Sequence, residues 1–343
     1  MKKQMRWGWP GAVWAALLAP GLSLLPGLLA RTAGGAGWLS VVLALPVMAL
    51  LGARADVWTR EGSGLAAQAL RRGLWGRLLT IIYIMSAAVL LAVRLRLGAQ
   101  RLMSAAQEGN GLWLYLLVLA LGGARLAWGT AGMLLRAAGV FWRILLCALG
   151  ALCLLSLLRL RPEFLWPVEW QALPGVLAGT VSVLGVFGAG VYAAFVPDEG
   201  ASSRKVGAWL GGGAQALCVL CVLGSLGPAL AGRLSDPWLM LARGIGVEGA
   251  VRRLEGLVSA LWLLADLAYL GLLTQGVRAL CPRWGRTAAV ALSAVGLVLS
   301  LTLLRQTQTA RGVQEQLVPA LGLLVGIALP LAVRGISCAG KGS

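Results

Sequence analysis

Asp266 is the residue whose type and place most demand a chemical explanation. It stands about midway along an otherwise apolar run, Trp262-Leu263-Leu264-Ala265-Asp266-Leu267-Ala268-Tyr269. An isolated ionised carboxylate in such a setting is strongly unfavourable unless it is paired or neutralised. Three roles are open to it: proton carrier, partner for a ligand amine, or structural ion pair with an arginine on a facing helix. Arg94 and Arg101 are the candidate partners, seven residues apart and therefore on one helical face. Both fall toward the outer end of their run, so the expected reading is that they reach for lipid headgroups. Tyr83, Tyr192, Tyr269 and Thr274 are hydrogen-bonding groups in apolar surroundings, each more simply read as packing than as a ligand contact.

A second chemistry resides in the backbone. The first apolar run reads Leu18-Ala19-Pro20-Gly21-Leu22-Ser23-Leu24-Leu25-Pro26-Gly27, and a later one reads Val183-Leu184-Gly185-Val186-Phe187-Gly188-Ala189-Gly190. Proline removes a helix donor and glycine weakens a helix, so both runs are expected to be interrupted. Half-helix N-termini favour a carboxylate and unwound carbonyls favour a cation. An amino acid presents both groups. The expected lining is Ala19, Gly21, Leu22 and Ser23 from the first run and Gly185, Val186, Phe187 and Gly188 from the second, with Tyr83, Asp266 and Tyr269 as the nearest polar side chains.

Other chemistries are excluded or unsupported. The chain contains no histidine, which removes Ser-His-Asp catalysis and His-ligated zinc or haem. Cys218-Val-Leu-Cys221 has CxxC spacing, but it lies in an apolar run with no second such pair, so packing is the expected role. No phosphate-binding loop, nucleophile elbow or metalloprotease helix occurs. No enzyme activity, metal or cofactor is expected.

These groups must be positioned by membrane helices. Of the 343 residues 59% are hydrophobic and only 12% charged, against about 45–50% and 25% in soluble domains. Mean hydropathy is +0.83. A span needs roughly 20 mostly apolar residues, and ten candidates run at 9–30, 37–53, 78–98, 111–128, 136–158, 175–196, 206–228, 252–277, 285–304 and 316–334. The polar stretches 54–77, 159–174 and 229–251 are too short for a separate soluble domain, and the last two are expected to carry short surface helices. Lys2, Lys3 and Arg6 precede the first run, which reads as a span and not as a removable leader. The net charge of +18 points to lipid headgroups and not to nucleic acid, because the basic residues sit between apolar runs. With the N-terminus inside, 18 of the 30 Lys and Arg fall on the inner side, so both termini are expected to be cytoplasmic. Trp7, Trp9, Trp38, Trp113, Trp128, Trp166 and Trp284 stand at span ends as an interfacial belt.

The first and sixth spans are corresponding members of two five-span halves, approximately 9–158 and 175–334, within a single membrane domain covering 1–343. An odd number of spans per half inverts the second half relative to the first. Interrupted segments at corresponding places in two halves are the best sequence pointer to a transporter binding site.

That pattern resembles the amino acid–polyamine–organocation transporters with their LeuT-type fold: all-α, ten transmembrane helices in a 5+5 inverted repeat, helices 1 and 6 interrupted. Within that superfamily the chain resembles the spore germination permeases, the B subunits of nutrient-germinant receptors. Three stretches carry the likeness: Gly21-Leu22-Ser23-Leu24-Leu25-Pro26 followed by Ala33-Gly34-Gly35-Ala36-Gly37-Trp38-Leu39-Ser40; Arg136 and the small residues after it; and Asp236-Pro237 leading to Arg252-Arg253-Leu254-Glu255 and Trp262. The chain departs from the family at Ser104–Asn110, where a proline-containing segment is usual, and at Gly139, where an acidic residue is usual. The resemblance implies a receptor subunit in a spore inner membrane or bacterial cytoplasmic membrane. It would bind a small nutrient, an amino acid, and trigger germination with A and C partner subunits. A proton-coupled amino-acid secondary transporter is the alternative, since both use the same fold and cavity. Arg252-Arg253-Leu254-Glu255 are expected to be interfacial charges that pair locally and hold the helix end in the headgroup layer; the alternative is that Glu255 ties the outer segment 229–251 to the helix bundle.

Overall fold

The computed structural model describes residues 8–59, 70, 73–106, 111–196, 204–244 and 254–331. Ten long helices stand where the apolar runs predict them: α1 (Gly8–Ala33), α2 (Gly37–Thr59), α3 (Gly73–Ala106), α4 (Leu112–Trp128), α5 (Ala131–Leu157), α6 (Leu173–Gly188), α7 (Arg204–Leu226), α8 (Leu254–Leu280), α9 (Gly285–Thr302) and α10 (Thr307–Leu323). Eight segments among the described residues are long and apolar enough to cross a membrane. The first, Gly11–Ala53, contains both α1 and α2, and α4 is apolar but has only 17 residues. Short helices are present at Pro228–Ala231 and Pro237–Gly244, but the second is packed into the core through Trp238, Leu239 and Leu241 and does not lie on the surface as expected. Stretch 159–174 forms two single 3-10 turns. Arg252 and Arg253 lie outside the described residues, as does the side chain of Glu255.

Two helices run beyond their hydropathy windows. α3 continues past residue 98 because Arg94, Arg96 and Arg101, which lower local hydropathy, are buried against protein. Arg96 donates from Nη2 to the Arg305 carbonyl, and Gln100 Nε2 donates to Thr307 Oγ1 at 2.7 Å. α10 starts at Thr307, nine residues early, with a polar first half of Gln308, Arg311, Gln314 and Glu315. Gly34, at φ +59°, makes the turn from α1 into α2 in a conformation unfavourable to other residues.

Helix neighbours repeat under a shift of five. α1–α5 is matched by α6–α10, α2–α6 by α7–α1, α3–α9 by α8–α4, α3–α10 by α8–α5, and α3–α4 by α8–α9. The α1–α8, α5–α7, α1–α2 and α1–α10 contacts are exceptions, with no counterpart of similar extent. Because no side-chain identity is needed for this correspondence, it lies in the packing of the two halves.

The expected interruptions take a different form. α1 is helical throughout from Gly8 to Ala33, with Pro20 and Pro26 inside it, so it is not unwound at Gly21. Pro20 and Pro26 free the carbonyls of Ala16 and Leu22, and proline in a membrane helix is tolerated where neighbouring helices enclose it. Ser23 Oγ back-bonds to its own helix, 3.1 Å from the Ala19 carbonyl and 3.2 Å from that of Pro20. α6 does change geometry: it passes into a 3-10 turn at Ala189–Val191 and then a single helical turn, Tyr192–Phe195. A π-helical stretch, Leu324–Ala328, follows α10.

Tyr83 and Tyr192 hold these irregular pieces together. Tyr83 Oη donates to the Val325 carbonyl in the π stretch at 3.0 Å, and Tyr192 Oη donates to the Tyr83 carbonyl at 2.7 Å. Their rings pack edge-on with each other and with Phe195. Tyr83→Phe keeps the ring and removes one buried hydrogen bond. The expected loss is about 1 kcal/mol, read as a lower melting temperature of the purified protein, and an unchanged melt would show that the bond is dispensable.

Candidate functional site

The charged centre of the molecule is built from four helices. Asp266 on α8 is 3% exposed and faces the protein interior. Arg94 on α3, also 3% exposed, donates from Nε to Asp266 Oδ1. Arg101, 5% exposed, places Nη1 3.4 Å from Asp266 Oδ2. The snorkelling expected for these arginines is therefore corrected. Gly98 explains why they turn inward. It stands between them on the same face of α3, and a Cβ there would lie 3.0 Å from Asp266 Oδ2, so its missing side chain makes room for the carboxylate.

The cluster extends to α1 and α10. Arg94 Nη1 donates to Ser23 Oγ at 3.1 Å, and Gln314 Nε2 donates to the same oxygen at 2.8 Å. With its own proton directed at its helix, Ser23 is saturated as a donor and an acceptor. Arg101 also lies flat over the Trp262 ring, 3.9 Å from its centroid, and 3.9 Å from Asp236 Oδ1, an ion pair without a hydrogen bond. The inner cluster holds two guanidinium groups against one carboxylate. Arg94 Nη2 and Arg101 Nε are buried with no hydrogen-bond partner.

Beside this cluster lies a small apolar cavity of about 30 Å³, bounded by Leu18 and Leu22 of α1, Leu149 of α5, Trp238 of the outer helix, and Trp262 and Ala265 of α8. Trp262, whose ring lies under Arg101, is also a wall of this cavity and links the apolar space to the polar cluster.

The sequence-predicted residues are spread over several places. Ala19, Leu22, Ser23 and Asp266 meet at the cluster or its cavity. Tyr269 is buried one turn further along α8. Gly21, two residues from Ser23 and so roughly 200° around α1, faces α7: a Cβ there would lie 2.4 Å from Gln215 Oε1. Gln215 is fully buried and neither amide atom has a partner. Gly185 and Gly188 do not face Gly21 either. Built Cβ atoms would lie 2.2 Å from the Pro319 carbonyl oxygen and 2.0 Å from that of Gly322, so these glycines form a close seam with α10. Val186 is buried, and Phe187 lies toward Gly211 of α7. Tyr83 stands eleven residues, about 16 Å, from Arg94 along α3 and belongs to the tyrosine tie. α1 thus stays helical through Gly21, and Gly185 and Gly188 of α6 are packed against α10.

Gln314, Gln215 and the inward Arg94 escaped sequence reasoning. The available signal was the Arg94–Gly98–Arg101 stripe, with spacings of four and three residues on one helical face. Cys218 and Cys221 are buried, and Cys221 Sγ lies 3.9 Å from the Cys153 carbonyl of α5, as packing residues do.

The model of a family described as spore germination protein matches residues 12–309. No curated protein sequence matches significantly. Among the solved structures, the chain is similar to MhsT in complex with L-phenylalanine, with a TM-score of 0.66, 16% sequence identity, and coverage of 93% of this chain and 87% of that one. That likeness establishes the fold as LeuT-type, in agreement with the five-helix correspondence.

Proposed function

Because the chain belongs to the spore germination protein family, we propose that it is the membrane subunit of a nutrient-germinant receptor, binding a small amino acid and triggering germination with A and C partner subunits. One observation carries the ligand reading. Arg94 is buried, uses Nε on Asp266 and Nη1 on Ser23, and leaves Nη2 unpaired. An unpaired guanidinium N–H in a site with excess positive charge is suited to a carboxylate. The apolar cavity walled by Trp262, the ring under Arg101, is suited to a small apolar side chain. MhsT, described in complex with L-phenylalanine, supports an amino acid as the ligand class.

In this reading the carboxylate is met by Arg94, with Ala19, Leu22 and Ser23 lining the α1 side, and not by amides of an unwound helix. Gly21 with Gln215 forms a separate polar place on the other side of α1. Asp266 serves as the counter-ion that holds Arg94 in place. A proton-coupled transporter would need Asp266 to give up its charge and leave two guanidinium groups unbalanced, so sensing is the preferred reading. Uptake of labelled amino acid into proteoliposomes separates the two.

The test uses purified protein in nanodiscs and a panel of amino acids, each compared with its amine and carboxylic-acid analogues. Charge-assisted bonds contribute about 1.5–3 kcal/mol, so Arg94→Gln is expected to weaken binding roughly tenfold to hundredfold. Arg94→Lys should fall between, because it keeps the charge but loses the planar fork. The decarboxylated amine should bind no better to the parent than to Arg94→Gln. Equal amino-acid affinity in folded Arg94→Gln and parent would sink the proposal.

A further inference from the structure

We propose that the junction of α4, α5, α8 and α9 is a binding site for the phosphodiester headgroup of an anionic phospholipid. This site is independent of the nutrient reading. It is an open cavity of about 570 Å³ at the end of α8 far from Asp266, with Thr130, Ala131, Gln275, Arg278, Arg283 and Arg286 among its walls. No carboxylate among the described residues lines it.

Three sources of positive potential converge there. The first is the three guanidinium groups. Arg278 is fixed: its Nη1 donates to the carbonyls of Ala127, at 3.3 Å, and Gly129, at the end of α4. Arg283 and Arg286 are exposed and make no ion pair or side-chain hydrogen bond among the described residues. The second is the N-terminus of α5 at Ala131, where Thr130 makes no side-chain cap and the first turn has no acidic residue. The third is the N-terminus of α9 at Gly285, equally uncapped and without an acidic residue. Cations normally avoid helix N-termini, because the macrodipole is positive there. Arg286 sits in the first turn of α9 regardless. Like charges gathered in one cavity favour an anion that bridges them.

The rim decides which anion. Trp128 and Trp284, 57% and 68% exposed, stand at the ends of α4 and α9 beside the cavity. Exposed tryptophans at span ends sit at headgroup depth, and basic pockets between membrane helices suit anionic headgroups. A phosphate held by Arg278, Arg283 and Arg286 would leave its acyl chains along the membrane-facing helices. A free phosphate would use the arginines and gain nothing from the tryptophans. Bound there, the lipid would join the α4–α5 corner to the α8–α9 corner.

The test compares the parent with the double variant Arg283→Gln/Arg286→Gln. A control, Arg161→Gln/Arg233→Gln, removes the same charge at the opposite ends of α5 and α7. Each protein is reconstituted in phosphatidylcholine nanodiscs with or without phosphatidylglycerol. Thermal unfolding and native mass spectrometry of the released protein are then read. Parent and control are expected to retain phosphatidylglycerol and to melt higher with it. The double variant should lose at least tenfold in retained lipid and most of the shift, while melting like the parent in pure phosphatidylcholine. Equal retention in all three proteins would overturn the site. The same protection from inorganic phosphate without phosphatidylglycerol would overturn the lipid assignment in favour of a free anion. Retention that appears only after Asp198→Asn and Glu199→Gln would show that the chain's own carboxylates hold the cavity, and would overturn it too.

Discussion

Asp266→Asn is expected to destabilise the protein more than Arg94→Gln or Arg101→Gln, although all three change one charge of the same cluster. The order follows from the count of buried charges. Asp266 is the only carboxylate within the inner cluster and touches both arginines. Removing Arg94 leaves Asp266 paired with Arg101, one charge against one. Removing Asp266 leaves two buried guanidinium groups with only Asp236, 3.9 Å from Arg101, to offset them. Breaking a buried pair by deleting one partner costs about 3–5 kcal/mol, because the survivor remains desolvated. For Asp266→Asn the upper end applies, since two survivors remain. Thermal unfolding of the purified variants and the yield of monodisperse protein give the ranking. A double variant, Asp266→Asn/Arg94→Met, should recover part of the loss by restoring the balance of charge. An aspartate variant as stable as either arginine variant would show that the charges are offset by groups other than these three.

How much of this was legible in the sequence depends on what each feature is made of. The ten helices were legible because apolar runs and their polar breaks are properties of composition. The buried place of Asp266 was legible because a carboxylate in an apolar run has few tolerable positions. Its partners were not, because hydropathy gives depth along a helix and not direction around it. Arg94 and Arg101 at the outer part of α3 fit snorkelling equally well until Gly98 is seen to open the face between them. The break at Gly21 was misjudged for another reason. Two prolines remove two donors, but the helices packed around α1 keep it continuous. Gln314 and Gln215 carried no signal, since nothing in one helix tells which neighbour its polar face will meet.

The glycines of α6 were half read: the helix does change geometry after Gly188, but the packing of Gly185 and Gly188 against α10 carried no signal, and it supports the sharpest structural prediction. Read alone, Gly185 and Gly188 weaken a helix and suggest a break. Against α10 they form one side of a seam whose other side is Gly322 and Gly326. A Cβ on Gly322 would lie 1.7 Å from the Gly185 carbonyl oxygen, and one on Gly326 would lie 2.5 Å from the Gly188 Cα. In membranes, small residues allow such backbone approach, and dispersion between the backbones is the gain. Gly322→Ala must therefore separate two helices, because the obstructing atoms are backbone and cannot rotate away. Overpacking typically costs about 1–3 kcal/mol, and a clash with backbone belongs at or above the top of that range. Gly213→Ala in α7 is the matched control, since its Cβ would meet nothing within 4 Å. That substitution should be neutral or slightly stabilising, as alanine exceeds glycine in helix propensity by about 1 kcal/mol. Melting temperatures of the two variants should thus move in opposite directions. The seam also bears on how the nutrient site is tested: loss of response in Gly188→Leu would report a forced-open α6–α10 contact and not a damaged ligand pocket. If Gly322→Ala melts with the parent, α6 and α10 do not meet at this seam, and the assignment of Gly185 and Gly188 to packing falls with it.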